Sequence, residues 1–410
     1  MLIDWLLNIP SKKIKYGLRR TEQFLLECEL TNKNFFKIQI LGTNGKGSVV
    51  AFLMKALDDC GYKVGMYTSP HLVKINERIR INNQLIKDKE IEDFLCQYKN
   101  KIKSFDLSFF EIMTVMSIWY FNTKNIDIAI LETGLGGRLD SVTACEANML
   151  LFTSISMDHH EILGNSIKKI AYEKSSAIKN AQQNLISVDQ TVEIKSILNQ
   201  RAKIKKNKIK ILQALDYSSF DLKYLRGMHQ IENANLACSA IQLLNKKNIT
   251  KINKKSIGKS FYNTRWEGRF QIIIKKPLMI YDVAHNKESL KSFLNTFLSY
   301  IKNKTYKTKY LLCAFEKNKK IKTSIKQYER YFDHIICTET NIRKSMPVNH
   351  LSQMFNNTKI KEIKSIQRAI NYIKKNANKE DLVVIIGSHF IAPFIHRKFK
   401  NCFVHNKEQY

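Results

Sequence analysis

Residues 36–60, FKIQILGTNGKGSVVAFLMKALDDC, constrain the fold more than any other stretch, because an apolar run breaks at a glycine-rich turn and a helix-forming run follows at once. Residues 36–42 have the length and bounding glycine of a buried strand, and 48–60 read as the helix that follows. A strand feeding a helix through a short turn is half of a crossover unit, whose next strand runs parallel to the first. The rhythm repeats in KVGMYTS after Gly61, in IDIAILETGLGG at 126–137 and in ANMLLFTSI at 147–155. Strands alternating with helices predict an α/β fold with a mostly parallel sheet covered on both faces.

After about residue 265 the pattern restarts: PLMIYDVAHN, KYLLCAF, DHIICTE and DLVVIIGS each read as a buried strand ending in a polar or glycine turn. Helical stretches such as KESLKSFLNTFLSYI and SIQRAINYIKK lie between them. This predicts a second, smaller doubly wound unit. Two domains are expected, 1–265 and 266–410, in keeping with a length of 410 residues.

The hydrophobic fraction of 44% supports proper cores, so disorder is not expected. The most apolar stretch, 109–121, carries Glu111 and reads as a buried helix, not a membrane span. The N-terminal MLIDWLLNIP has Asp4 and no basic leader, so no signal peptide is expected and the reading is cytoplasmic. The eight cysteines include no C-x-x-C pair, which points to reduced thiols rather than a zinc site. A formal charge of +32 raises nucleic acid as a partner. The lysines are dispersed through segments such as RAKIKKNKIKI and NKKNITKINKKS, however, instead of forming one stripe with aromatics. The charge speaks to solubility and to steering of anionic small molecules.

The loop itself departs from G-x-x-x-x-G-K-[ST]: Ile40 stands where the first glycine belongs, and Gly47 separates Lys46 from Ser48. Its placement between strand and helix still suits an anion, since backbone N–H groups and the helix dipole face the turn. Lys46 can reach the β- and γ-phosphates, and the Ser48 or Thr43 hydroxyl can meet phosphate or metal. Three other strand ends deliver polar groups: Ser69, His71, Asn76, Glu77 and Arg78 in YTSPHLVKINERIRINN; Glu132 in LETGLGGRLD; Asp158, His159 and His160 in SISMDHHEILG. In an open α/β sheet such loops converge on one crevice, and a hydroxyl, a carboxylate and an imidazole together form a shell for Mg²⁺ beside phosphates.

In order and spacing, KYGLRR (15–20), GTNGKGS, TSPHLVKINERI, FFEIMT (109–114), ETGLGGRLD, DHHEILG, IAYEKS (170–175), LRGMHQIENA (225–234), WEGRF (266–270) and YDVAHN (281–286) resemble the folylpolyglutamate synthase/dihydrofolate synthase family of the Mur ligase superfamily. The resemblance covers nearly the whole chain. It implies a P-loop ATPase domain of the Mur ligase type followed by a Rossmann-like glutamate-ligase domain. The implied activity is ATP-dependent: a substrate carboxylate is phosphorylated, and the amine of L-glutamate displaces the phosphate to give an amide.

By the same resemblance, Asn44, Gly45, Lys46, Gly47 and Ser48 would hold ATP, and Ser69, Glu132 and His159 would bind magnesium as two ions. Lys174 would be a carbamylated lysine; without the resemblance it reads as a solvated helix lysine. Asn233 would touch the nucleotide, with His229 and Gln230 nearby. Arg269 and Asp282 would reach ATP from the second domain, with His285 and Asn286 lining the cleft. The pterin side would involve Leu18, Arg19, Arg20, Phe109, Phe110, Glu111 and Thr114, although FFEIMTVM also reads as core helix packing. The substrates would be ATP, L-glutamate and dihydropteroate or reduced folates, and the protein a monomer.

The chain departs from the family pattern at several points. Ser175-Ser176 stands for Ala-Gly, Ser141-Val142-Thr143 for Ala-Thr-Asn, and Glu267 and Lys287 for prolines; LLCAFEKNKK replaces a Lys-Asp-Lys-Asp run. None removes an expected metal or phosphate residue. The alternatives are a Mur-type ligase acting on a UDP-sugar peptide, for which the loop begins too early in the chain, one of the two folate activities alone, and a degenerate ATP-binding relative.

Overall fold

The computed structural model describes residues 2–9, 17–31, 35–213, 217–340, 344–356, 360–399 and 402–403, so Lys15 and Tyr16 of KYGLRR lie outside the described residues. The chain divides into two compact units: Met1–Asp221 with Ile231–Thr264, and Leu222–Gln230 with Arg265–Tyr410.

In the first unit the strands are β1 (Phe36–Leu41), β2 (Val64–Tyr67), β3 (Ile79–Ile81), β4 (Gln84–Leu85), β5 (Ile128–Glu132), β6 (Met149–Phe152), β7 (Asn184–Ser187) and β8 (Ile209–Ile211). They lie in the order β4-β3-β2-β5-β1-β6-β7-β8. β1 runs down the middle, parallel to β5 and β6. Ile38, Ile40 and Leu41 are fully buried, and so is the amide of Gln39 between them, as expected of a central parallel strand covered on both faces. One core gathers Phe24, Phe94, Ile112, Phe121 and Leu131; another holds Leu41, Phe152, Ile170 and Leu198. The expected helices appear as Lys46–Asp59 and the buried Phe109–Lys124.

The second unit carries β9 (Gln271–Ile274), β10 (Leu278–Asp282), β11 (Lys309–Ala314), β12 (His334–Glu339), β13 (Ile360–Ser365) and β14 (Leu382–Gly387). Their order is β13-β12-β11-β14-β10-β9, and helices Lys287–Ile301 and Ile366–Asn376 fall where the sequence puts them. The mostly parallel α/β architecture is as expected in both units.

The differences are at the edges. β3 pairs antiparallel with β2, β4 with β3, and β9 with β10. The β3–β4 hairpin turns at Asn82, whose φ of 51° an asparagine tolerates better than most residues. Among the described residues no helix is long and apolar enough to cross a membrane.

Candidate active site

The end of β1 enters the loop Gly42–Lys46, which is pinned from the end of β6. Thr43 N donates to Ser154 O at 2.8 Å, and Ser156 N donates to Thr43 Oγ1 at 3.0 Å. Asn44 reaches Ser156 Oγ through its side-chain amide at 3.4 Å. Gly45 precedes the helix with φ 90°, and a Cβ there would stand 2.4 Å from Asn233 Oδ1. Only glycine lets that carboxamide approach, so the structure brings Asn233 to the loop. Gly47 and Ser48 open the helix, and the buried Ser48 Oγ has no hydrogen-bond partner among the described residues. Its hydroxyl is the orphaned polar atom expected where a phosphate oxygen or a hard cation belongs.

Two ammonium groups share one carbonyl behind this loop. Lys46 Nζ donates to Gly42 O at 3.3 Å and Thr43 O at 3.1 Å, and Lys174 Nζ donates to Gly42 O at 2.8 Å. Lys174 is buried on the helix Ile167–Ser175, so the solvated-lysine reading does not hold. Burial, and then the charge of Lys46, pull its pKa down to about 7, opposed by Asp158 and Asp140. Asp158 is buried and accepts from His159 N at 2.8 Å; His159 is in the left-handed region at φ 49°, with its side chain 46% exposed. His160 begins the short helix His160–Leu163.

Glu132 ends β5, buried, and accepts from Ser69 N at 3.1 Å. Ser69 Oγ, Asp140 and the Phe110 ring all lie within 3.5 Å of where a Cβ on Gly134 would stand. Asp140, which sequence reasoning did not single out, accepts from Leu135 N at 2.8 Å and Val142 N at 3.0 Å and so fixes the glycine turn; burial holds its pKa up. Its position after GGRL, before a short helical turn, was the available signal. Among the described residues no three His, Cys, Asp or Glu side chains group as a metal site. The donors at this turn are the Glu132 carboxylate and the Ser69 hydroxyl, oxygen ligands of the kind suited to Mg²⁺, which keeps several waters and takes few protein ligands.

Of the residues past β2, Asn76 and Glu77 serve the loop itself and not the crevice. Glu77 accepts from Leu72, Val73 and Lys74 N, and Asn76 donates to Ile86 O and Asp88. Arg78 donates through Nε to His71 Nδ1 at 2.9 Å and lies over the rings of Phe109 and Phe110 at 5.3 and 5.6 Å. Burial and Arg78 hold His71 down to about 4. The two aromatic rings meet edge-on at 5.9 Å. Arg20 Nε lies 3.0 Å from Glu111 Oε1, so the LRR and FFEIMT segments do come together. Glu111 also caps its own helix through Ser108, and Thr114 is fully buried with its hydroxyl on Phe110 O and 2.6 Å from Ser141 Oγ. Thr114 therefore holds the helix, while Leu18 and Arg19 stand at the start of Arg19–Glu27, with Arg19 exposed.

In the second unit, Asp282 ends β10, accepting from Phe270 N at 2.7 Å and Ala284 N at 2.8 Å. Burial raises its pKa and Arg269 opposes the rise. His229 is held down to about 4 by burial and by Arg269, so these three belong to one cluster. Gln230 is buried beside it in sequence. His285 Nδ1 sits 2.8 Å from Val283 O, and Asn286 caps Lys287–Ile301 by accepting from Ser289 N at 2.9 Å.

The family model described as Mur ligase, glutamate ligase domain matches residues 268–389. A dihydrofolate synthase/folylpolyglutamate synthase from Buchnera aphidicola subsp. Acyrthosiphon pisum is 32% identical over 401 residues, 94% of each chain. The chain belongs to this family. A Bacillus subtilis relative with the same name is 28% identical over 97% of this chain and 98% of its own. The structure of Escherichia coli FolC in complex with DHPP and ADP matches with a TM-score of 0.86 at 26% identity, covering 97% of both chains. The folylpolyglutamate synthase of Thermotoga maritima matches at 0.81 and 25%, covering 98% of this chain and 96% of its own. As a dihydrofolate synthase/folylpolyglutamate synthase family member, the protein is an ATP-dependent ligase.

Proposed function

We propose that this ligase adds L-glutamate to dihydropteroate and to the γ-carboxylate of tetrahydrofolate, each through an acyl phosphate. The observation that carries the reading is the β1 loop, where Lys46 and the buried Lys174 share the Gly42 carbonyl beside the unsatisfied Ser48 hydroxyl. A cationic, backbone-lined turn of this kind suits a triphosphate.

A carboxylate is a poor electrophile. Attack of its oxygen on the γ-phosphorus of ATP releases ADP and leaves a mixed anhydride, whose carbonyl carbon the glutamate amine attacks as phosphate departs. The work of the chain is positioning and charge neutralisation. Asn44, Gly45, Lys46, Gly47, Ser48 and Asn233 hold the nucleotide, as do Arg269, Asp282 and His285. Ser69, Glu132 and His159 would hold Mg²⁺, as two ions, and the metal when bound would supply positive charge at the transferring phosphoryl group. Burial brings the Lys174 pKa down to about 7 and so makes the neutral amine accessible; its nitrogen adds to the carbon of CO₂ and releases a proton, giving a carbamate that puts an anion beside Lys46. Leu18, Arg19, Arg20, Phe109, Phe110, Glu111 and Thr114 form or support the pterin side. On this reading the enzyme is a cytoplasmic monomer acting on small molecules and not on nucleic acid.

The test is ADP release by the purified protein with L-glutamate and, separately, dihydropteroate or tetrahydrofolate. Turnover with both is expected. Turnover with one assigns that activity alone, and none with either, despite bound nucleotide, overturns the reading.

A further inference from the structure

The middle of β1 contains one residue out of place. In Phe-Lys-Ile-Gln-Ile-Leu, Gln39 is 1% exposed between the fully buried Ile38 and Ile40. An amide buried in a central parallel strand is unfavourable unless its hydrogen-bonding groups are met. Gln39 Nε2 donates to Thr133 Oγ1 at 3.0 Å and to Thr143 Oγ1 at 2.8 Å. These hydroxyls stand at the two ends of the turn that carries the glycines and Asp140. Thr133 directly follows Glu132, and its N–H donates to Ile40 O at 3.0 Å. Thr143 passes the contact on, because its Oγ1 donates to Gly137 O at 2.7 Å.

Gly137 in turn lies against the helix that carries Lys174. A Cβ there would stand 2.9 Å from Lys174 O and 3.0 Å from Glu173 O, and Arg138 N donates to Glu173 O at 2.8 Å. One amide on the strand that feeds the phosphate loop is thus linked on one side to the residue after Glu132, and on the other to the backbone beneath Lys174. Thr143 is one of the residues by which the chain departs from its family pattern.

We propose that Gln39 is a positioning residue of the ligase: it fixes the separation of the Glu132 carboxylate and the Lys174 helix, and so sets the affinity for the divalent cation. The proposal rests on the reading above that Glu132 is a metal ligand. Outer-shell partners of metal ligands are worth roughly 10- to 100-fold in metal affinity.

The experiment uses full-length Gln39→Leu, Thr143→Val, Thr143→Ser and the Gln39→Leu/Thr143→Val pair. Mn²⁺ affinity is read from free-ion electron paramagnetic resonance with a non-hydrolysable ATP analogue, alongside the Mg²⁺ concentration for half-maximal rate. We expect Gln39→Leu and Thr143→Val each to weaken Mn²⁺ binding about tenfold. The pair should lose little more than either single variant, and Thr143→Ser should bind normally because it keeps the hydroxyl. Lower melting temperatures with unchanged Mn²⁺ affinity would mean Gln39 only holds the fold, which overturns the proposal. If Gln39→Leu does not fold, the contrast between Thr143→Val and Thr143→Ser alone decides the matter. Glu132→Gln separates the two levels: retained Mn²⁺ binding there overturns the site reading itself, whereas lost binding there with normal Gln39→Leu overturns only the positioning role.

Discussion

Lys174→Met removes a buried ammonium and keeps most of the side chain's volume. Folding takes this lysine from an ordinary value of 10.5 to about 7, chiefly by burial and secondly through Lys46. The folded state binds fewer protons than the unfolded chain between those two values, so Lys174 destabilises the protein below the window and the penalty fades as pH rises through it. At pH 7 the penalty is about 4 kcal/mol, falling to about 2 kcal/mol by pH 9. The methionine variant has no such dependence. In CO₂-free buffer, its urea midpoint should therefore exceed that of the unmodified protein at pH 7, and the gap should halve by pH 9. Lys46→Met should narrow the gap at pH 7 as well, because it removes the second cause. Bicarbonate should stabilise the unmodified protein and leave Lys174→Met unchanged. A gap that stays constant from pH 7 to 9 would refute the buried-ammonium argument.

Gly45→Ala forces an L-residue to φ 90° and places its methyl 2.4 Å from Asn233 Oδ1. The backbone alone costs about 1–2 kcal/mol, and we expect at least a tenfold loss of ADP affinity by calorimetry. His71, held down to about 4, stays neutral in the folded state while the unfolded chain protonates below 6.5. Stability should fall between pH 6.5 and 4 by about 3 kcal/mol from this group, and His71→Gln should flatten that limb in acid-unfolding curves. Glu111→Ala strips the helix cap and the Arg20 pair together. It should lower stability by about 1–3 kcal/mol and raise the KM for dihydropteroate while leaving that for ATP unchanged.

The strands were legible where they are buried on both faces. β5, β6, β10, β11, β12 and β14 have apolar runs that depend on no partner's identity, and β1 was legible from its buried isoleucines and the glycine that bounds it. β3 and β4 were not, since Arg80, Asn82 and Gln84 give them the composition of a loop, and only pairing with β2 makes them strands. β13 fails for a related reason: Lys361, Glu362 and Lys364 point to solvent. Lys46, Ser48 and Glu132 could be named from strand-end chemistry. The burial of Lys174 could not, because it depends on where Gly137 lets two backbones meet. Nor does LKYLRGMHQ announce that Leu222–Gln230 groups with the second unit.

The same edge strands give the dispersed lysines a use. β8 shows Lys210 to water and β13 shows Lys361 and Lys364, while β4 is only two residues long. An open sheet edge is a template for a further strand, and a lysine there must lose its hydration before another backbone can dock. A composition this rich in isoleucine would otherwise invite chain-to-chain strand pairing. Positive charge spread along the margins sets a desolvation cost against any second chain docking at those edges.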